Sequence, residues 1–234
     1  MPTSTVEDYL KAILLQEGKS DSDLVTMGQI AAALDVAPGT VTAMVKTLAS
    51  SDLVSYEPYS GVALTDAGRR LALHVLRRHR LVELFLVEVM GMSWSEVHIE
   101  AERLEHVISE RLLERMDEML GSPSVDPHGD PIPDADGVLA EPRLKSLASC
   151  GVGEGLAIAR VTDQSPDFLE LVEKRGFKPG ARVVVVGRDE AADAVTLRLA
   201  DGSVVNLGDR AAAKILVRPV ERGPARTPAA GPSG

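Results

Sequence analysis

The feature that most constrains this chain is a change of period on either side of one proline-rich stretch. "GSPSVDPHGDPIPDADG", residues 121 to 137, carries Pro123, Pro127, Pro131 and Pro133 and has no helical repeat. Before it, apolar residues recur at three and four positions. After it they come in short runs rich in Val, Ile and Leu. Proline is excluded from helix interiors and from central strands, so neither pattern can continue through this stretch. The expected result is a mainly α N-terminal part and a small all-β C-terminal part, an α+β multidomain chain joined by a tether over residues 122–145. The 234 residues suffice for two small cores.

In the first part, Val6, Leu10, Ile13 and Leu14 mark a helix over residues 6–16. Thr26 caps a short helix, "MGQIAAALDV". A turn at "APGT", with Gly39, then leads into "VTAMVKTLASSDL", where Val41, Met44, Val45 and Leu48 repeat. Short helix, tight turn and second helix give helix-turn-helix spacing. "LVSYEPYSGVALT" alternates around Pro-Tyr-Ser-Gly and reads as a hairpin, so residues 1–65 are expected to form a winged helix-turn-helix. A small helical protein-interaction domain is the alternative. Beyond Thr65, "DAGRRLALHVLRRHRLVELFLVEVM" reads as one long helix. "SWSEVHIEAERLEHVISERLLERMDEML" reads as another, capped by Ser93 or Ser95, with a stripe of Val97, Ala101, Leu104, Ile108 and Leu112.

Past the prolines, "GLAIARVT", "ARVVVVGR", "AVTLRLA" and "AKILVRPV" read as strands, and "SPDFLELVEKRGFKPG" as an intervening helix and turn. A small β-barrel is expected over residues 146–220 and a disordered tail over 221–234.

The histidines and acids carry the chemistry. "HIEAERLEHV" sets His98, Glu102, Glu105 and His106 within an arc of about 100° on a helix, with no Lys on that face. Glu102, Glu105 and His106 have the i, i+3, i+4 spacing of carboxylate-bridged helical metal sites. His79 and Glu83, four apart, face the same way on the preceding helix. The competing reading is surface charge paired with Arg103, Arg111 or Arg115. No HExxH and no nucleophile–base arrangement occurs, so catalysis has no support.

Charge bears on the partner. With 35 acids against 25 bases the net charge is −10, which argues against non-specific nucleic-acid binding. Acids and bases nearly balance over residues 1–80, however, where Arg69, Arg70, Arg77, Arg78 and Arg80 cluster. On the second helix of the reading head, Pro38, Gly39, Thr40, Thr42, Lys46 and Thr47 are the candidates for phosphate and base contacts. A single cysteine, Cys150, and the lack of a signal peptide or long apolar run lead to the expectation of a reducing cytoplasm and no membrane partner.

With these residues in place, the chain resembles the diphtheria-toxin-repressor family of metal-dependent transcriptional regulators, which has iron-responsive and manganese-responsive branches. The resemblance rests on "EDYL", "GTVTAMVKTLASSDLV", "LTDAGRRLA", "RRHRLVE", "VHIEAERLEHVIS" and the tether "DPHGDPIP", in that order over nearly the whole chain. It implies a helical metal-binding and dimerisation region over residues 66–121, an SH3-like C-terminal domain, and a homodimer that binds double-stranded operator DNA when metal is bound and represses metal-uptake genes. Carried over residue by residue, the primary metal site would be Asp8, Glu102, Glu105 and His106. A second would be His79, Glu83 and His98, completed from Asp126 and His128 of the tether or from Asp163 and Gln164 of the C-terminal domain.

Iron-type members resemble this chain but place softer sulfur ligands where it has Asp8 and Glu102. Oxygen donors with one imidazole favour Mn²⁺, with Fe²⁺ able to use the same set, and no organic cofactor is expected. Where some manganese-type members carry an acid this chain has Lys11, which weighs against a second ion packed directly beside the first. Without metal, the carboxylates are expected to repel one another across the junction of reading head and helical region. Two other functions stay open at this point: a metal-buffering protein without DNA binding, and a winged-helix regulator that senses a small molecule.

Overall fold

The structure, a computed structural model, describes residues 3–18, 24–140 and 142–220. The tail over 221–234, expected to be disordered, lies outside the described residues. The chain divides into two compact units, Met1–Glu141 and Pro142–Gly234.

In the first unit, α1 (Ser4–Glu17), α2 (Met27–Leu34) and α3 (Pro38–Ser50) precede the strands β1 (Val54–Glu57) and β2 (Gly61–Leu64). Thr26 and Gln29 form a capping box at the start of α2. Gly39 is not in the turn, as the sequence suggested. It lies in the first turn of α3, which starts at Pro38, and the left-handed residue that turns the chain is Asp35, φ 51°. The hairpin pairs antiparallel, Val54 with Leu64 and Glu57 with Gly61. Leu10, Ile13, Ile30, Val41, Val45, Leu48, Val54 and Val62 share one core, so helices and wing form a single reading head.

The helix α4 (Asp66–Glu88) is capped by Thr65 and runs unbroken, as expected. Its start crosses the end of the reading head at Gly68, where a Cβ would fall 1.9 Å from the carbonyl oxygen of Leu53. Only glycine allows that approach.

The following segment departs from expectation. It is two helices, α5 (Trp94–Leu104) and α6 (Glu110–Leu120), separated by a turn. Ser109 caps α6 through its side chain, which accepts from the amide of Leu112. The stripe therefore breaks. Val97 and Ala101 are fully buried, whereas Leu104 and Leu112 are 38% and 49% exposed. The tether also differs from a free linker, because much of it packs on the helices. Asp126, His128 and Ile132 are buried, Arg77 donates to the carbonyl of Pro133 at 2.7 Å, and Arg80 donates to that of Pro131.

In the second unit the strands β3 (Lys145–Ser146), β4 (Gly155–Val161), β5 (Arg182–Asp189), β6 (Ala194–Leu199), β7 (Val204–Gly208) and β8 (Ile215–Pro219) form one antiparallel sheet in the order β3-β8-β4-β5-β6-β7. The expected helix is α7 (Pro166–Lys174), and a short α8 (Asp209–Ala212) precedes β8. Strands β3 and β7 were not legible, being a two-residue edge and a run interrupted by Asn206. Among the described residues no helix is long and apolar enough to cross a membrane.

Candidate metal centre

The break after α5 builds the first cluster. Helix α5 stops at Leu104, Glu105 caps it, and His106 follows in the turn. Glu105 is thereby fully buried. His106 Nε2 lies 2.9 Å from Asp8 Oδ1 on α1 and 3.3 Å from Glu105 Oε1. These three residues converge on one point. Glu102 does not join them directly. It groups with His79 and Glu105, and its Oε1 accepts from Lys11 Nζ at 2.8 Å.

The Glu102 and Glu105 carboxylates are bridged and not left to repel one another. The repulsion expected of the metal-free chain persists at Asp8, whose pKa burial and then the charges of Glu102 and Glu105 push up. Lys11 Nζ donates to Glu105 Oε1 at 2.6 Å as well as to Glu102, and His79 Nδ1 lies 2.6 Å from Glu105 Oε2. Burial works against the Glu105 carboxylate, but the hydrogen bond and charge of His79, with those of Lys11, hold its pKa below the usual range.

Behind His106 stands Glu7, a residue that no spacing in the sequence singles out. Glu7 Oε2 lies 2.7 Å from His106 Nδ1, and Arg78 approaches Glu7 at 3.7 Å. A carboxylate on Nδ1 fixes the tautomer and turns Nε2 toward Asp8 and Glu105, as outer-shell carboxylates do for metal-bound histidines. The signal was present as "VEDYL", an acid directly beside Asp8, but adjacent helical residues point about 100° apart and only the fold shows what Glu7 meets.

The second cluster gathers on α4 and α5. His79 Nε2 is 3.0 Å and His98 Nδ1 is 3.1 Å from Glu83 Oε1, and the two nitrogens are 3.2 Å apart. Adjacent ligand atoms around an octahedral ion with bonds near 2.1 Å stand about 3 Å apart, so the triangle has the size a divalent cation needs. Burial disfavours a charged His79, but the Glu83 charge and hydrogen bonds to Glu105 and Glu83 outweigh it and push its pKa up to about 9. For Glu83, burial is likewise outweighed, chiefly by the charge and hydrogen bond of His79, and its pKa lies far below the carboxylate range.

The tether adds a third grouping around the same carboxylate, Glu83 with Asp126 and His128. His128 is fully buried against Trp94, ring centroids 4.9 Å apart. Its Nδ1 faces Asp126 Oδ2 at 3.9 Å, beyond hydrogen-bond reach, and neither ring nitrogen has a hydrogen-bond partner. A buried imidazole with both nitrogens unsatisfied is costly. A cation shared with Glu83 and Asp126 would satisfy one of them, so the residues present fit a metal. Asp163 and Gln164 belong to the C-terminal unit. There Asp163 Oδ2 accepts from Lys214 Nζ at 2.5 Å, and Oδ1 accepts from the amide of Ser165.

In the reading head, Thr40, Lys46 and Thr47 are exposed on α3, Thr42 is half-buried, and Pro38 and Gly39 lie exposed at its start. Val41, Val45 and Leu48 face the core. The arginine cluster, by contrast, is mostly spent inside the unit. Arg69 pairs with Glu17, Arg77 with Asp117, and Arg78 with Glu7 and Glu110, while Arg80 is buried beside Asp126.

This order of parts recurs in known proteins. The N-terminal DNA-binding domain of iron-dependent repressors matches residues 1–62, their metal-binding and dimerisation domain matches 65–134, and a FeoA domain matches 145–219. The iron-dependent repressor IdeR of Mycobacterium leprae is 33% identical over 193 residues, covering 77% of this chain and 83% of that one. The regulator MntR of Geobacillus kaustophilus is 35% identical over 121 residues, 51% of this chain and 83% of its own. A solved manganese-dependent transcriptional repressor in complex with manganese superposes with a TM-score of 0.82 at 40% identity, over 92% of this chain and all of that one. From its reading head through its metal-binding helices to its FeoA domain, the chain belongs to the diphtheria-toxin-repressor family of metal-dependent transcriptional repressors, which are not enzymes.

Proposed function

We propose that this repressor answers to Mn²⁺ and, once loaded, binds operator DNA in the cytoplasm as a homodimer, controlling metal-uptake genes. The observation that carries the metal choice is the donor set. Asp8, Glu105 and His106, with Glu102 beside them, offer oxygen and imidazole and no sulfur, which suits a hard ion low in the Irving–Williams order. The solved repressor at 40% identity is named as manganese-dependent. Relatives named as iron-dependent also exist, so Fe²⁺ is the competing ion.

A bound cation would supply the charge that lets these donors share one point. Asp8 belongs to α1, which packs in the reading head, whereas Glu105 and His106 follow α5. Drawing them together fixes the first helix relative to the helices behind it. Glu7 holds His106 in the ligating tautomer. His79, Glu83 and His98, with Asp126 and His128, would form the second site. Asp163 is committed to Lys214 in its own domain, so this reading does not depend on it.

On DNA, Thr40, Thr42, Lys46 and Thr47 would face the major groove with Pro38 and Gly39 close to the backbone, as in other helix-turn-helix proteins. The deciding experiment is a DNA-binding titration on genomic fragments with Mn²⁺, Fe²⁺ and chelator in parallel. Activation by Mn²⁺ at lower concentration than Fe²⁺ supports the reading. Equal binding in chelator would refute metal control and favour a small-molecule sensor.

A further inference from the structure

We propose that Lys11 is a tethered cation that competes with the metal for the Glu102–Glu105 carboxylate pair and so sets the metal concentration at which the protein responds. The proposal rests on the metal reading above.

The geometry around Glu105 carries it. Both carboxylate oxygens of this buried residue are occupied, Oε1 by Lys11 Nζ at 2.6 Å and Oε2 by His79 Nδ1 at 2.6 Å. Oε1 is also the oxygen 3.3 Å from His106 Nε2, on the side where Asp8 waits. An oxygen that accepts a short charge-assisted bond from an ammonium has less charge to offer a second cation at the same place. Entry of a divalent ion therefore requires one of the two partners of Glu105 to yield.

His79 is the poorer candidate to move. Its ring is pinned on the far side by Glu83 and His98, at 3.0 and 3.2 Å. Lys11 is the better one, since its ammonium is carried on a flexible four-carbon stem. Within the N-terminal unit, a cleft lined by Asp8, Lys11, Ala12, Leu15, Ala33 and Leu34 opens beside it. Asp8 and Lys11 lie three positions apart on one face of α1, so release of the lysine and capture of the aspartate occur on the same turn. Ala33 and Leu34 belong to α2, the first helix of the helix-turn-helix, which places the vacating ammonium next to the reading head.

The alternative is that Lys11 serves only to tie α1 to the Glu102 and Glu105 carboxylates, positioning the donors and staying in place when an ion enters. The two roles differ in sign. A residue needed only for structure would, when removed, leave metal affinity unchanged or weaken it through loss of order. A competitor, when removed, must tighten it.

The test compares the full chain with its Lys11→Gln and Lys11→Arg variants, titrated with Mn²⁺ by calorimetry and by electron paramagnetic resonance of the free ion. Melting in excess chelator is measured alongside. Lys11→Gln should bind Mn²⁺ about tenfold more tightly or better, the factor expected when one buried charge-assisted contact no longer has to be broken. It should also melt lower than the parent in chelator and recover with Mn²⁺. Lys11→Arg keeps the charge and can grip both carboxylates with a planar fork, so it should weaken binding several-fold, and it decides the matter should Lys11→Gln not fold. Parent-like affinity in the folded variants, or weaker binding by Lys11→Gln, overturns the proposal while leaving the metal reading in place. A parent protein that takes up no Mn²⁺ overturns the metal reading itself, and the Lys11 proposal with it.

Discussion

His79 Nδ1 lies 2.6 Å from Glu105 Oε2, and this contact ties the two candidate metal clusters together. The opposite nitrogen of the same ring stands 3.0 Å from Glu83. When one face of this imidazole binds an ion, the proton and orientation of the other face are fixed, and Glu105 feels the change. Occupancy of one site should therefore alter the affinity of the other. His79→Ala should remove the second ion and also shift the affinity of the first site, by about tenfold. Combined with Glu105→Gln in a double-mutant cycle of Mn²⁺ affinities, it should show a coupling above roughly 0.5 kcal/mol. Strictly additive effects would mean that the two sites act independently.

The raised pKa of His79 gives a pH dependence with a definite sign. The metal-free protein keeps this imidazole protonated up to about pH 9, above its ordinary value of 6.5, and a ligand must be neutral. Metal uptake at the second site should thus release a proton and strengthen as pH rises, by up to tenfold per unit between these values. Folding in chelator should run the other way. The stability contributed by the His79 ion pairs is fully present below 6.5 and is lost as pH rises through about 9. Chelated protein should melt lower at the alkaline end of this window while the metal-loaded protein gains. A metal affinity that stays flat with pH would show that His79 is not a ligand.

Much of the reading head was legible because it is built from local signals: the Thr26 cap, the apolar repeat of Val41, Val45 and Leu48, and the turn between β1 and β2. The gathering of His79, Glu83, His98, Glu105 and His106 was legible because several His and acidic side chains at helical spacing on adjacent helices are rare. What escaped was set by long-range packing. The turn after Leu104 carries neither Gly nor Pro, and only the Ser109 cap marks it. The tether reads as solvent-exposed because it is rich in proline and aspartate, yet Arg77 and Arg80 pin its carbonyls and Trp94 covers His128. Glu7 needed His106 brought to it from 99 positions away.

That packed tether changes where the chain can be cut. A protein ending near residue 121 would lose Asp126, His128 and Ile132, exposing the surfaces of Trp94 and Leu81 that they cover. It should melt several degrees lower, as loss of a buried apolar contact and two polar groups implies, and bind one fewer ion. A protein ending at residue 140 should keep metal-dependent DNA binding. Equal melting temperatures and equal metal stoichiometry for the two truncations would show that the tether contributes nothing to the helical unit.

On the DNA side, Lys46 is the exposed cation of α3, on the face opposite Val41, Val45 and Leu48. Lys46→Ala should weaken binding to all sequences alike and reduce the slope of log affinity against log salt by about one, as the loss of a single phosphate contact does. The fold should be unaffected because the side chain packs against nothing in the core. A slope equal to that of the parent would remove Lys46 from the phosphate-contacting set and leave the threonines as the main candidates.

In the proposed mechanism, Asp8 carries the coupling between metal and DNA. It lies on α1 of the reading head and touches His106, which follows α5, at 2.9 Å. Helix α1 also supplies Glu7 to the same imidazole, so without metal the two parts already meet at His106. The role left for Asp8 is to convert that meeting into a fixed geometry when a cation is shared, a population shift bounded by how much better the ion binds the closed arrangement. Asp8→Met puts a softer thioether in place of a carboxylate oxygen and removes one negative charge from the site. It should weaken Mn²⁺ activation by tenfold or so and leave Fe²⁺ activation less affected, reversing the order of the two ions in a DNA-binding titration. The melting temperature in chelator should change little, since Asp8 is partly exposed and burial already pushes its carboxyl pKa up. If Asp8→Met answers both ions as the parent does, Asp8 is not a ligand, and the link from metal to reading head must run through the Glu7–His106 contact instead.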